Sequence, residues 1–149
     1  MTARNSQVGS ARQSVAEPGD GLSATPDGAR RRRGQQAFLS GLAAEDSVVR
    51  DYVRRGLIEE RRRFRGQQGE IDLVMRDGDA LVFVEVKKSA SFARAAESLS
   101  ARQMARIYGA AEEYLASAPA GLLTDVRFDV ALVDAAGAVR IVENAFGDM

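Results

Sequence analysis

The chain has 149 residues, with 21 Lys and Arg against 21 Asp and Glu, so its formal net charge is zero. This length supports one domain with a hydrophobic core, and a composition of 45% hydrophobic and 28% charged residues is typical of globular proteins. There is no cysteine and no histidine. These absences exclude disulfides, thiol nucleophiles, Cys/His zinc sites and Ser-His-Asp triads.

An enzyme of this composition must work with carboxylates, lysine and hydroxyl groups, and with a hard metal ion such as Mg²⁺. Because the net charge is zero, any surface for nucleic acid must be a local patch. No apolar run approaches the ~20 residues that a membrane span needs, so we expect a cytoplasmic protein without a membrane partner.

Lysine is rare in this chain. Only Lys87 and Lys88 are lysines, and all other basic residues are arginines. An ammonium group is compact and can lose its proton when it is desolvated, which a guanidinium in practice does not. The pair therefore indicates a position where an ammonium is wanted, with chance clustering as the alternative.

The first 34 residues are rich in Ser, Ala, Gly, Arg and Pro and contain few large apolar side chains. We predict that residues 1–34 form a disordered basic tail and that residues 35–149 form the folded domain. The arginine run at 30–33 is either a solvated end of this tail or a contact to nucleic acid.

Apolar residues recur at helical spacing over residues 35–55, and Gly56 ends the predicted helix. Glu45 lies within this apolar stripe. A carboxylate there is costly unless it is paired or bound to a cation, so it is either a ligand or a residue at the edge of the stripe that pairs with Arg50 or Arg54.

Residues 57–64 are predicted to form a first strand near a sheet edge. Four arginines of this region would lie beside the following hairpin, where they would suit phosphates: Arg61, Arg62, Arg63 and Arg65. The alternative is an edge strand that its charges protect against aggregation.

Residues 69–88 alternate with period two and are predicted to form a β-hairpin around Asp77 and Gly78. One strand would place Ile71 with Leu73 and Met75 on one face and Asp72 on the other. We expect Asp72 to pair with Phe83 and to lie diagonally across from Glu85, with Lys87 two residues further along. Two carboxylates and a lysine on one face predict a divalent-cation site, or else a charged solvent face.

The remaining elements complete a mixed sheet. Residues 89–98 are predicted to form a mobile loop, and Ser100 with Gln103 forms a capping box at the start of a helix. Arg102, Gln103 and Arg106 are near the start of this helix, where a nucleic-acid surface could lie. Residues 124–134 and 139–142 are predicted strands, and residues 144–146 should dock the chain end. The order is α-β-β-β-α-β-β, an α/β fold with a mixed central sheet flanked by helices.

From residue 35 to residue 146 the chain resembles the YraN family, which is related to archaeal Holliday-junction resolvases and to the PD-(D/E)XK nuclease superfamily. The residues that carry the resemblance are Gly41 and Glu45, GEIDL at 69–73, FVEVK at 83–87, RFDV at 127–130 and NAF at 144–146. The resemblance implies a restriction-endonuclease-like sheet and a metal-dependent endonuclease acting on DNA, with branched or otherwise structured DNA as one expected substrate.

In the resemblance, Asp72, Glu85 and the Val86 carbonyl would ligate Mg²⁺ or Mn²⁺, and Glu45 would join directly or through water. Lys87 would orient or deprotonate the attacking water. Gln103 would lie near the site. Apart from the resemblance, we expect contacts to nucleic acid from Arg61, Arg62, Arg63, Arg65, Lys88, Arg102, Gln103 and Arg106. Related resolvases are dimers, so a homodimer is one expected state.

A second hypothesis comes from a different class. The chain would be a nucleic-acid-binding accessory module in repair or recombination that keeps the carboxylates without useful turnover. The zero net charge favours this hypothesis, whereas the complete set of Glu45, Asp72, Glu85 and Lys87 favours the enzyme.

Overall fold

The computed structural model describes residues 26–97 and 99–146, and of residues 36–39 only the backbone. Contacts divide the chain into residues 1–38 and residues 39–149. The elements are α1 (Pro26–Arg54), β1 (Ile58–Arg65), β2 (Glu70–Asp77), β3 (Ala80–Lys88), α2 (Phe92–Glu97), α3 (Ala101–Leu115), a 3₁₀ turn (Gly121–Leu123), β4 (Val126–Val133) and β5 (Val139–Val142). No helix of the described ranges is long and apolar enough to cross a membrane.

The five strands form one sheet in the order β1-β2-β3-β4-β5. The pair β3 and β4 is parallel and the other pairs are antiparallel, so the predicted mixed α/β fold is confirmed. β1 lies at the edge, as its arginine-rich pattern indicated. The parallel step from β3 to β4 needs a long crossover, and α2 and α3 provide it.

Two helix boundaries differ from the expected ones. α1 begins at Pro26 and not at Gln35, because proline suits the first helical position, Asp27 lies in the first turn and the following Ala, Arg and Gln are helix formers. The rest of the predicted tail, residues 1–25, lies outside the described residues. α2 occupies most of the predicted loop 89–98, because Ala95 is buried and anchors one helical turn.

The helices cover the two faces of the sheet. Within residues 39–146, the α1 residues Ala44, Val48 and Tyr52 pack in one cluster with β3 residues such as Val84. The α3 residues pack in a second cluster with Phe83 of β3. Because neighbouring residues of a strand point to opposite faces, the two clusters lie on opposite sides of the sheet.

The hairpin register differs by two residues from the predicted one. Asp77 pairs with Ala80 and Leu73 with Val84, so the two turn residues are Gly78 and Asp79, where Asp77 and Gly78 were expected. Gly78 has φ +64°, a value that a two-residue hairpin turn requires and that glycine adopts at low cost. The shift brings the Asp72 and Glu85 carboxyl groups into direct contact, where a diagonal separation was expected.

Ile71 also departs from its predicted face. It packs with Phe83 in the α3 cluster and not with Leu73 and Met75. The alternation along β2 breaks next to Arg63, which has φ +55° although it lies within β1. Backbone irregularities of this kind turn side chains to new directions and are common near functional sites.

The chain end docks on β4, as predicted. The Ala145 backbone N–H donates to the Phe128 carbonyl at 2.8 Å. Phe146 stacks on Phe128, with ring centroids 5.9 Å apart, and it also meets the edge of Tyr108. Phe146 therefore adds to the apolar cluster on the α3 side of the sheet.

Candidate active site

Asp72 and Glu85 lie together in an open cleft of about 620 Å³. The cleft lies between the β1–β2 loop and the start of α3, and Gln103 and Arg106 line its helical wall. Glu85 is only 8% exposed. The structure thus brings the two predicted carboxylates together on adjacent strands.

Neighbouring donors fix the orientation of both carboxylates. The Val86 backbone N–H donates to Asp72 Oδ2 at 2.8 Å. Gln103 Nε2 donates to Glu85 Oε1 at 3.0 Å, and Lys87 Nζ lies 3.4 Å from the same oxygen. The Ser100 hydroxyl accepts a hydrogen bond from the Gln103 N–H, as predicted. The Gln103 side chain donates to Glu85 and does not complete the capping box.

The two carboxyl groups, Asp72 and Glu85, resist ionisation in the folded protein. Burial and the adjacent Asp72 charge together raise the pKa of Glu85 to about 8, against the opposing effect of Lys87. Burial likewise raises the pKa of Asp72, and the Val86 N–H opposes that rise. Two buried carboxyl groups that resist ionising together favour either a shared proton or a bound cation.

Glu45 lies close enough to Asp72 for its charge to raise the pKa of that carboxyl group, and its part in a metal site stays a prediction. Arg50 bonds Ser47 and Arg54 pairs with Asp51, and Glu45 is 5% exposed, so it neither lies at the edge of the stripe nor takes the predicted partners. Arg63 Nε donates to its two carboxylate oxygens at 3.2 and 3.3 Å. The same guanidinium lies 3.7 Å from the position that a Cβ on Gly41 would occupy, one helical turn before Glu45. This is an ordinary van der Waals distance, so position 41 packs against the ion pair without requiring glycine.

Arg63→Ala is expected to lower the free energy of unfolding by about 1–3 kcal/mol, because it leaves the buried Glu45 carboxylate without its ionic partner. Glu45→Gln in the Arg63→Ala protein should recover part of the loss, since a neutral amide is cheaper to bury. Urea denaturation of both variants tests this. An Arg63→Ala protein as stable as the wild type would show that the ion pair contributes nothing.

No group of three His, Cys, Asp or Glu side chains converges on one point within residues 26–97 and 99–146. Asp72 and Glu85 together with the Val86 carbonyl still form an all-oxygen donor set. Mg²⁺ commonly keeps several waters and takes one or two protein carboxylates, so this set fits it. The raised pKa values of the pair point the same way, since a cation would relieve the repulsion.

The predicted basic contacts separate into two groups. Arg65, Gln103 and Arg106 line the cleft with the acid pair, and Arg102 is exposed on the same helix. The other residues have partners elsewhere: Arg61 lies over the Phe64 ring, Arg62 pairs with Asp46 and Glu59, Arg63 pairs with Glu45, and Lys88 donates to the Ser40 hydroxyl.

A buried network around Asp129 was not recognised from sequence. Asp129 is fully buried, and its oxygens accept hydrogen bonds from the Tyr52 hydroxyl at 2.8 Å, from Arg127 at 2.8 and 2.9 Å, and from the Asn144 backbone N–H at 2.9 Å. The RFDV and NAF segments were named only for their resemblance. An Arg-x-Asp pair on a buried strand was the available signal.

The fold and this site define a mixed α/β protein whose central hairpin carries two adjacent, largely buried carboxylates beside a lysine. The model of the uncharacterised protein family UPF0102 matches residues 44–133. This chain belongs to that family, and the YraN family assignment made from the motifs is thereby confirmed.

Similar proteins cover nearly the whole folded region. A UPF0102 protein of Ruegeria pomeroyi is 64% identical over 115 residues, which are 77% of this chain and 94% of the relative. Another of Roseobacter denitrificans is 57% identical over 120 residues, 80% of this chain and 93% of the relative. One from Cereibacter sphaeroides is 57% identical over 113 residues, 76% and 97% of the respective chains.

Proposed function

We propose that this protein is a metal-dependent endonuclease of the PD-(D/E)XK type, which hydrolyses phosphodiester bonds in DNA and acts on branched or otherwise structured DNA. The observation that carries the proposal is the pair of carboxylates, Asp72 and Glu85, held side by side with raised pKa values beside Lys87. A nuclease without histidine needs such a pair to hold a divalent cation.

Asp72, Glu85 and the Val86 carbonyl would hold Mg²⁺ or Mn²⁺, which when bound supplies charge stabilisation for the phosphate and a more acidic water. Val86 orients Asp72 through its N–H, and Gln103 orients Glu85 through its amide. These two hydrogen bonds keep both carboxylates aimed at the cleft.

Lys87 would act on the attacking water. Its ammonium lies 3.4 Å from Glu85 Oε1 and its side chain is only 19% exposed. In that position it can hold a water by hydrogen bonding, take its proton when the ammonium is deprotonated, and offset negative charge that develops on the phosphate. Arginine could not exchange the proton in the same way.

The accessory binding module is the second candidate, and the Arg63–Glu45 ion pair favours it. Glu45 was predicted to join the metal site, but both of its oxygens accept hydrogen bonds from Arg63. With two acidic side chains in place of three, the site would bind the metal more weakly and turn over slowly. Nucleic-acid binding by the cleft would remain.

A panel of labelled DNA substrates separates the two candidates: duplex, single strand, flap and four-way junction, each with Mg²⁺, Mn²⁺ or EDTA. The nuclease predicts metal-dependent cleavage that Glu85→Ala abolishes. Shifted bands without cutting, equal for the wild type and Glu85→Ala, would support the binding module. Neither cutting nor shifting of any substrate would contradict both.

A further inference from the structure

The loop of residues 65–69, counted from Arg65 at the end of β1, leads into β2 and is tied to α3 by one carboxylate. The Gln67 backbone N–H donates to both oxygens of Glu113 at 2.9 Å, and the Gln68 N–H donates to Glu113 Oε1 at 3.0 Å. Within the loop, the Gly66 N–H donates to the Gly69 carbonyl at 2.8 Å. Charge-assisted hydrogen bonds of this kind are stronger than neutral ones.

Glycines allow this loop to lie directly on the helix backbone. A Cβ on Gly69 would stand 2.7 Å from the Arg106 carbonyl oxygen, and a Cβ on Gly109 would stand 2.1 Å from Gln68 Oε1. Both distances are too short for real atoms, so a side chain at position 69 would push the loop off the helix backbone and one at position 109 would displace the Gln68 side chain. Together with the Glu113 bonds, this contact holds the loop against α3 as a wall of the cleft.

The wall presents positive charge beside the acid pair. Arg65 begins the loop and Arg106 lies on the facing helix, and both line the same cleft as Asp72 and Glu85. The Arg65 side chain is 82% exposed, and its acidic neighbour Glu70 is 3.6 Å away. An exposed ion pair of this kind is weak, so a phosphate can take the place of Glu70. Guanidinium groups bind phosphate oxygens through two parallel hydrogen bonds.

We propose that Glu113 is a positioning residue that holds the 65–69 loop as a preformed wall, so that Arg65 and Arg106 grip the phosphates on either side of the bond to be cut. The ligand is a nucleic-acid strand whose backbone runs along the cleft past Asp72 and Glu85. This inference rests on the proposed function and assigns its substrate contacts. Because Glu113 bonds the backbone of the loop and lines no part of the cleft itself, it acts through the loop.

The test is a double-mutant cycle on DNA binding, measured by fluorescence anisotropy with a labelled duplex and a labelled four-way junction in EDTA. Glu113→Ala should weaken binding about fivefold or more, because the freed loop no longer holds the end of β1, and with it Arg65, beside the cleft. Arg65→Ala should weaken binding by a similar factor in the wild type and have little further effect in Glu113→Ala. Glu112→Ala, the same charge change one residue away on an exposed position, is the matched control and should bind like the wild type.

A second readout confirms that the variant alters the loop and not the whole protein. In Glu113→Ala the amide hydrogens of Gln67 and Gln68 should exchange faster, while Mg²⁺ should raise the melting temperature as it does in the wild type. Binding by Glu113→Ala equal to that of the wild type, or independent effects of the two substitutions, would overturn the positioning role alone. A wild-type protein that binds neither probe would overturn the proposed function as well.

Discussion

Mg²⁺ or Mn²⁺ should raise the melting temperature of the wild-type protein, and Asp72→Asn should abolish that rise. The physical reason is the crowding of Asp72 and Glu85, whose pKa values are both raised in the folded state. A cation at a hundred times its Kd stabilises the folded state by about 2.7 kcal/mol. For a domain of this size the shift is roughly 10 °C.

The melting temperature of Asp72→Asn in EDTA shows whether this variant folds normally. The amide oxygen can still accept the Val86 N–H, so the strand contact at this position is retained. Because the substitution removes one of two repelling charges, the variant in EDTA should melt at or above the wild-type temperature. A scan by differential scanning fluorimetry with and without metal makes the comparison. A metal-induced rise that survives Asp72→Asn would place the metal elsewhere.

Asp129→Ala should cause the largest loss of stability, about 3–5 kcal/mol, since it removes a fully buried carboxylate that accepts four hydrogen bonds, one of them from a buried tyrosine. Arg127 would lose both of its hydrogen bonds to this carboxylate, and the Tyr52 hydroxyl and the Asn144 N–H would lose their acceptor. The network links α1, β4 and the chain end, so its loss should also loosen the docking of residues 144–146.

Tyr52→Phe is a smaller change in the same hydrogen-bond network. It removes one hydroxyl and leaves Asp129 with Arg127 and the Asn144 N–H, so the loss should be about 1–2 kcal/mol. Burial and the Asp129 charge both raise the pKa of Tyr52, so this hydroxyl stays protonated and donates. Urea denaturation measures both variants. A loss for Asp129→Ala below that for Tyr52→Phe would contradict the account of this network.

The sequence predicted the elements better than it predicted their register. Alternation located the hairpin, and the order of patterns gave the mixed sheet with β1 at its edge. The register depends on which two residues form the turn, and both Asp77-Gly78 and Gly78-Asp79 are compatible with a two-residue turn. Only the structure shows that Asp77 pairs with Ala80, and with that register the Asp72 and Glu85 carboxyl groups meet.

The sequence predicted those features of the site that depend on a local pattern alone. An acidic residue on the apolar stripe of α1 indicated that Glu45 needs a partner, and Glu45 is indeed buried. The identity of the partner depends on the left-handed backbone of Arg63, which no local pattern indicates. Long-range contacts such as Gln103 with Glu85, or Glu113 with the 65–69 loop, likewise depend on how α3 crosses the sheet.

If Lys87 and the acid pair cleave phosphodiester bonds as proposed, single-turnover cleavage of the preferred DNA substrate at saturating protein should depend on both the metal and the lysine. The wild type should cut in Mg²⁺ and not in EDTA, and Lys87→Ala should cut at least about a hundredfold more slowly while binding the DNA equally well. Arg140→Ala, an exposed change on β5 at the opposite edge of the sheet from β1, should cut at the wild-type rate. Equal cleavage by the wild type and Lys87→Ala, or cleavage that persists in EDTA, would contradict the account.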